Sequence, residues 1–216
     1  MKAQRSQRSK KRLPCKAARG LIRSGDVLLF PRRGSDLVSD AIAVAGRSEI
    51  IHAGMAAWIN RRLYCLETVQ WHGGRKILLS RYAKKQPVII VKRPKSSRYS
   101  TRRAVAEMKK IVGKPYGWSA LWRASWVHLP IIRWFVRPSH NDAENGDLPY
   151  CSMAVSRALR AGGVDPVERL ADGWTEPGNL DQSAALRDVC VVQLPAELPA
   201  ELPAAWVELY TPEVNP

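Results

Sequence analysis

One cysteine of this 216-residue chain has the sequence setting of a nucleophile. Cys151 is the second residue of the segment YCSMAVSRALRAGG, whose apolar periodicity and final glycine pair predict a helix with Cys151 in its first turn. Cysteine attacks as the thiolate, and the partial positive charge of a helix N-terminus favours that form. The free backbone N–H groups of the same turn can hold the oxyanion of a tetrahedral intermediate. Cys151 is therefore the candidate nucleophile, and Cys15, Cys65 and Cys190 are predicted to be structural.

A nucleophilic cysteine needs an imidazole within hydrogen-bond reach, and the chain has four histidines. His52 stands in HAGMAAW, a predicted strand that would hold its ring in place. His72 in the turn WHGG and His140 in a polar loop are expected to be exposed, and His128 belongs to a Trp-rich segment. His52 is the best of the four candidates for the base.

The third member of a Cys-His group orients the imidazole by accepting its second N–H. Glu67 is the best candidate, because pairing of RRLYCLETV with HAGMAAWI through a turn at Asn60 would bring it near His52. From spacing alone, however, a solvent-facing strand residue is the favoured interpretation of Glu67. The residues by themselves leave the third position open.

The elements predicted around these residues make an α+β fold. Five β-rich stretches separated by turn residues predict an antiparallel sheet or a small barrel: GDVLLF, IIHAGMAAWIN, RRLYCLETVQ, GGRKILLSRY and PVIIVKR. A short helix is predicted at 35–45, and an amphipathic helix at 100–112 carries Val105 and Met108 on one face. The sheet is thus expected to pack against helices, with the nucleophile at a helix N-terminus.

The length favours one domain with additional segments at its ends. Residues 1–20 are predicted to be a basic disordered arm, 21–192 the catalytic domain, and 193–216 a Pro-rich tail with a repeated LPAE. Within the domain, 117–137 is an insert in which Trp recurs every four residues with arginines interleaved. It is interpreted either as a helix with its aromatic face on the core or as an interfacial helix or lid at a membrane.

The chain is strongly basic, with 35 Lys and Arg against 19 Asp and Glu and a net charge of +16. Such a charge would attract an anionic cell-wall polymer or a membrane surface. No base-reading or stacking motif accompanies it, which disfavours nucleic acid and leaves a polyanion-binding module as the alternative of another class. No signal-peptide pattern precedes residue 25, and no run approaches about 20 apolar residues. We therefore expect a cytoplasmic, phage-associated or peripheral membrane protein with reduced thiols.

Five motifs, in this order, resemble those of the YiiX-like circularly permuted papain-like hydrolases. They are GDVLLF, IIHAGMAAW, LETV before GGRKILLSRY, GKPYGW, and YCSMAVSRAL followed by TEPGNLDQS. The resemblance extends from about residue 25 to residue 183. That family consists of permuted relatives of the NlpC-type cell-wall peptidases and is kin to lecithin-retinol acyltransferase. The resemblance implies a permuted papain-like fold, in which the histidine precedes the cysteine.

Carried over position by position, the resemblance implies Cys151 as nucleophile, His52 as base and Glu67 as the polar third member. Three further residues are assigned to substrate binding, the first from the GxPY motif and the others as neighbours of Cys151: Tyr116, Tyr150 and Ser152. The implied activity is hydrolysis of an amide bond, in a cell-wall peptide, through an acyl-enzyme, with no metal or organic cofactor. Lipid acyl transfer or ester hydrolysis at a membrane surface is the alternative.

Overall fold

The computed structural model describes five stretches of the chain. They are residues 12–32, 48–85, 88–118, 148–168 and 170–193. The predicted helix at 35–45, nearly all of the Trp-rich insert and the repeats of the Pro-rich tail lie outside them. None of the helices in the described stretches is long and apolar enough to span a bilayer.

Seven strands of the described residues form one open sheet. They are β1 (Arg12–Leu13), β2 (Val27–Pro31), β3 (Ile50–Ile59), β4 (Arg62–Val69), β5 (Gly73–Leu78), β6 (Val88–Pro94) and β7 (Leu186–Gln193). Their spatial order is β1-β7-β6-β2-β3-β4-β5. The six longer strands pair antiparallel, and the two-residue β1 adds parallel to β7 at one edge. The described strands thus form the antiparallel sheet and not the small barrel, the other form that the sequence allowed.

Five α-helices accompany the sheet in the described residues. They are α1 (Cys15–Arg19), α2 (Leu79–Lys85), α3 (Thr101–Ile111), α4 (Cys151–Ala161) and α5 (Pro177–Gln182). The amphipathic helix predicted at 100–112 is confirmed as α3, which begins after an N-cap hydrogen bond from the Arg103 N–H to the Ser100 side chain. Its buried residues are Ala104, Met108 and Ile111. The architecture is therefore α+β.

Strand β2 lies in the middle of the sheet and is buried on both faces. Val27 and Leu29 face a cluster shared with α3, α4 and α5, whereas Leu28 and Phe30 face a second cluster shared with α1 and α2. All four side chains are fully buried. Because a strand covered on both sides needs apolar residues at every position, GDVLLF is a continuous apolar run and does not alternate.

Residues 12–19, assigned from sequence to the disordered arm, form β1 and α1. Ala18 is fully buried, and Leu13 packs half-buried against the same cluster as Phe30. Backbone pairing also holds this stretch in place, because Arg12 and Leu13 pair with Val191 and Val192 at the open edge of β7. A basic composition therefore does not prevent this short stretch from docking, because backbone pairing and a few apolar contacts suffice.

Candidate active site

Helix α4 begins at Cys151, as predicted for the helix of the segment YCSMAVSRALRAGG. Tyr150 is the N-cap residue and makes no side-chain cap hydrogen bond, and the first turn contains no acidic residue. The first N–H groups of an α-helix have no partner within the helix. No acidic side chain of the first turn therefore opposes the positive end of the helix dipole next to the Cys151 thiol.

His52 lies on β3, where aromatic neighbours restrict its ring. It pairs with Phe30 of β2, and the centroids of the two rings are 5.3 Å apart. Phe30 in turn stacks on Tyr82 of α2, with 4.4 Å between centroids. The His52 side chain is only 16% exposed, and its Nε2 lies 2.7 Å from Oε2 of Glu67. Since Nε2 is engaged by Glu67, Nδ1 is the ring nitrogen left for Cys151.

Glu67 is fully buried on β4, so the solvent-facing interpretation does not hold. One carboxylate oxygen, Oε2, contacts His52, and the other, Oε1, accepts a hydrogen bond from Nε of Arg75 at 2.8 Å. The hydroxyl of Tyr82 donates to the same carboxylate. Burial raises the pKa of Glu67, but the hydrogen bonds and positive charges of His52 and Arg75 outweigh it and hold the pKa below its ordinary value. Glu67 is therefore an ionised acceptor for His52.

Cys151 and His52 form a hydrogen-bonded pair in which each stabilises the charged form of the other. Burial raises the pKa of Cys151, but the charge and hydrogen bond of His52 and two backbone N–H groups bring it below its ordinary value. Burial lowers the pKa of His52, but the Cys151 thiolate and the Glu67 carboxylate raise it to about 10. These shifts favour a thiolate on Cys151 beside a protonated His52, which Glu67 contacts from the other side.

The two backbone N–H groups that contact Cys151 belong to Ser152 and Ala53. Ser152 is the second residue of α4, so its N–H is free of the helix ladder. Along β3 the N–H groups alternate between neighbours, and Ala56 donates to Asp26 on the β2 side. Ala53 therefore faces the β4 side, where pairing ends at Met55 and Leu66. Because the hydrogen bonds between β3 and β4 end there, the Ala53 N–H is available to the Cys151 sulfur.

Gly54 allows β3 and β4 to approach closely next to His52. A Cβ at Gly54 would lie 2.5 Å from Sγ of Cys65 and 3.4 Å from Cβ of Glu67. Any side chain there would push β4, and Glu67 with it, away from β3. Gly54, two residues after the candidate base, thus allows the close approach that holds Glu67 beside His52.

The three other thiols have the opposite electrostatic setting. Burial raises the pKa of Cys15, of Cys65 and of Cys190, the last to about 11. None of these cysteines is in a disulfide. Among the four thiols, only Cys151 has a pKa that its surroundings lower, which favours the thiolate.

The pH dependence of Cys151 alkylation follows from these shifts. The thiolate is lost as the pH falls through the lowered pKa of Cys151, so we expect iodoacetamide to alkylate Cys151 with a lower midpoint than Cys15. Turnover additionally requires the imidazolium proton, so it should fall again as the pH rises through about 10. Residue-resolved mass spectrometry at a series of pH values measures the alkylation midpoints of Cys151 and Cys15. A Cys151 midpoint at or above that of Cys15 would contradict the ion pair.

Tyr116 lies beside Cys151 in a small apolar cluster, which also contains Tyr150 and Met153. Burial and the negative charge of Cys151 raise the pKa of Tyr116, and its hydroxyl hydrogen-bonds Gln70. Its ring contacts Trp118, with 5.1 Å between centroids. Tyr116 thus lies next to the candidate nucleophile, and its role as a residue lining the site stays a prediction.

Tyr150 and Ser152 are adjacent to Cys151 but turn their side chains inward. The Tyr150 hydroxyl donates to the Gly173 carbonyl at 2.8 Å, and the Ser152 side chain is fully buried. For Ser152 the backbone N–H reaches the thiol sulfur. The assignment of Tyr150 and Ser152 to substrate binding stays a prediction.

Sequence reasoning missed Arg75, Tyr82 and the backbone of Ala53. A signal for Arg75 was present, because the turn at Trp71 and His72 places LETV and GGRK in register, with Glu67 opposite Arg75. No comparable signal marks Tyr82, whose segment resembled a continuation of strand β5 and forms α2 instead. The candidate histidines His128 and His140 lie outside the described residues. His72 is exposed, as predicted, and its Nδ1 lies 3.2 Å from the Gln70 carbonyl.

Comparison with known proteins gives several similar solved structures. The crystal structure of the metalloprotein yiiX from Escherichia coli O157:H7 superposes with a TM-score of 0.56 at 20% sequence identity. The match covers 78% of this chain and 96% of the other. No protein-family model matches the chain, and no curated protein matches it. At this level of identity the similarity establishes a shared fold, which agrees with the YiiX-like resemblance of the sequence.

Proposed function

We propose that the chain is a cysteine-nucleophile hydrolase of the permuted papain-like type that acts through an acyl-enzyme. The observation that supports this most directly is the continuous chain of contacts from Cys151 to His52 and from His52 to Glu67. The pKa of Cys151 is lowered by that arrangement, whereas those of the other three thiols are raised. A structural cysteine needs neither a charged imidazole nor a buried carboxylate behind it.

The proposed reaction proceeds in two steps. The Cys151 thiolate attacks the carbonyl carbon, forming the S–C bond while the carbonyl electron pair moves to oxygen. The oxyanion develops within reach of the Ala53 and Ser152 N–H groups. Collapse expels the leaving group, which takes the proton of the His52 imidazolium. In the second step neutral His52 accepts a proton from water, whose oxygen attacks the thioester carbon. The S–C bond then breaks, which releases the acid and leaves the Cys151 thiolate beside the reprotonated His52.

The bond that we propose is an amide in a cell-wall peptide. The net charge of +16 supports this substrate, since an anionic cell-wall polymer would be drawn to such a protein. Glu67 and Asp26 are both buried and paired, Glu67 with His52 and Arg75 and Asp26 with Arg93. Neither carboxylate therefore opposes the approach of an anionic substrate.

An acyl ester of a lipid is the second candidate substrate, and one observation favours it. Trp71 is 84% exposed and its ring contacts Trp118, which in turn contacts Tyr116 beside Cys151. The three rings form a continuous aromatic contact from the surface to the nucleophile cluster. Such a surface suits a hydrocarbon chain as well as it suits a peptide side chain.

The similar structure is titled a metalloprotein, so the donor set of this chain bears on whether a metal could take part. In the described stretches, no group of three or more His, Cys, Asp and Glu side chains is placed to hold a metal ion. His52 uses Nε2 on Glu67 and has its other nitrogen for Cys151, and Glu67 Oε1 is bonded to Arg75. These groups do not fit a metal centre, and the proposed steps use protein groups alone.

Acylation probes test the nucleophile and the substrate together. We would compare a peptide acyl probe with a fatty-acyl probe that carries the same reactive leaving group, and locate the adduct by peptide mass spectrometry. The expected result is an acyl mass on Cys151, formed faster with the peptide probe. Faster reaction with the fatty-acyl probe would favour the lipid candidate. Adducts confined to Cys15, Cys65 or Cys190, or absent altogether, would overturn the proposed function.

A further inference from the structure

Arg75 contacts the candidate site from the side opposite to His52. It lies on β5 directly across from Glu67 in the antiparallel register, and its Nε donates to Oε1 of Glu67 at 2.8 Å. The Arg75 side chain is 34% exposed, whereas the carboxylate that it holds is fully buried. A permanently charged side chain thus reaches from the surface to the acid of the site.

The carboxylate of Glu67 divides its two oxygens between two cations. Oε2 faces His52 and Oε1 faces Arg75. Tyr82 of α2 donates its hydroxyl to the carboxylate, and the Cys65 thiol lies 3.9 Å from Oε2. Because both oxygens are occupied, Glu67 has one orientation, in which Oε2 points at the imidazole.

The division of charge matters because His52 changes charge during the proposed reaction. When His52 has given its proton to the leaving group, it is neutral and no longer compensates Glu67. A buried carboxylate without a partner would then take up a proton or draw one back from the imidazole. Arg75 takes no part in the proton transfers of His52, so its positive charge compensates Glu67 in both states of His52.

We propose that Arg75 is a positioning residue of the Cys151–His52–Glu67 group, which fixes Oε1 of Glu67 and takes up part of its charge throughout the reaction. This proposal rests on the proposed function, since it assigns Arg75 a task within that site. With Arg75 in place, Glu67 acts on His52 as an oriented acceptor whose negative charge is partly neutralised. His52 then releases its proton to a leaving group more readily than it would beside an uncompensated carboxylate.

The test compares Arg75→Gln with Lys76→Gln, which removes the same charge from the adjacent, exposed position on β5. Loss of Arg75 places the whole charge of Glu67 on His52, so the imidazolium should hold its proton more tightly. We expect the pH at which turnover declines on the alkaline side, which is the upper limb of the pH profile, to rise by roughly one unit. We also expect kcat to fall roughly tenfold, with KM unchanged. Arg75→Lys keeps the charge, so its upper limb should lie at the same pH as in the unmodified protein. Lys76→Gln should change neither the pH of the upper limb nor kcat.

Two results would overturn the positioning role. One is an upper limb that stays in place in a folded Arg75→Gln protein, and the other is an equal shift in Lys76→Gln. If Arg75→Gln does not fold, Arg75→Lys provides the test. An upper limb that moves in this variant, although the charge is retained, contradicts the proposal. Failure of the proposed function itself is distinguishable, because the unmodified protein would then show no acyl adduct on Cys151.

Discussion

Replacement of Cys151 by Ala is expected to abolish turnover and covalent labelling together. Without the sulfur no acyl-enzyme can form, and loss of the nucleophile in such a group costs on the order of 10⁴-fold or more. The fold should persist, because Cys151 lies at the edge of a small apolar cluster and Ala has a high helix propensity at the start of α4. Probe acylation followed by mass spectrometry, with thermal unfolding of the same sample, measures both effects.

Cys15→Ala is the matched control, because that cysteine is half-buried and belongs to α1. It should keep full activity and full labelling at Cys151. Cys151→Ser should be nearly as inactive as Cys151→Ala, since a hydroxyl has far too high a pKa for His52 to ionise it at rest. Full turnover in Cys151→Ala would remove the central assignment.

The sheet and the helix of Cys151 could be predicted because their patterns arise from local burial. The central strand β2 is apolar at every position and α3 has a single apolar face, so each pattern matched one element. Strand β7 was not assigned from sequence, although it pairs along its whole length with β6. Its apolar run VCVVQL stands directly before the Pro-rich tail, and periodicity alone does not show where a segment pairs.

The burial of Glu67 could not be predicted from alternation. Cys65, Leu66, Glu67 and Thr68 are all buried, because α2 covers one face of β4 while α3 and α4 cover the other. A strand covered on both faces no longer alternates, so spacing favoured a solvent-facing carboxylate. The motif order, which placed an acid after the histidine, implied Glu67 as the third member where the local pattern did not.

Arg75 and the Ala53 N–H were missed for a different reason, which is that both depend on where strand pairing occurs. Arg75 reaches Glu67 because β4 and β5 pair in one register, and a slip by one residue would turn it to the other face. Ala53 reaches the sulfur because β3 and β4 stop pairing at Met55 and Leu66. The turn between β4 and β5 carries a signal for the Arg75 contact through its register, whereas no residue type signals the Ala53 contact.

Replacement of His52 by Gln is expected to separate the two tasks of the imidazole, which are to ionise the Cys151 thiol and to protonate the leaving group. The largest lowering influence on the pKa of Cys151 is the charge of His52, so without it burial should raise that pKa above its ordinary value. Alkylation of Cys151 at neutral pH should then become slow, and turnover should fall by about 10²–10⁴-fold.

Raising the pH distinguishes these tasks, because hydroxide can ionise Cys151 but cannot replace a positioned general acid. Alkylation of His52→Gln should therefore recover at high pH, whereas amide turnover should not. His72→Gln is the matched control, since His72 is exposed in the turn between β4 and β5 and should leave both rates unchanged. If turnover recovered along with alkylation, His52 would only generate the thiolate, and protonation of the leaving group would have to come from another residue.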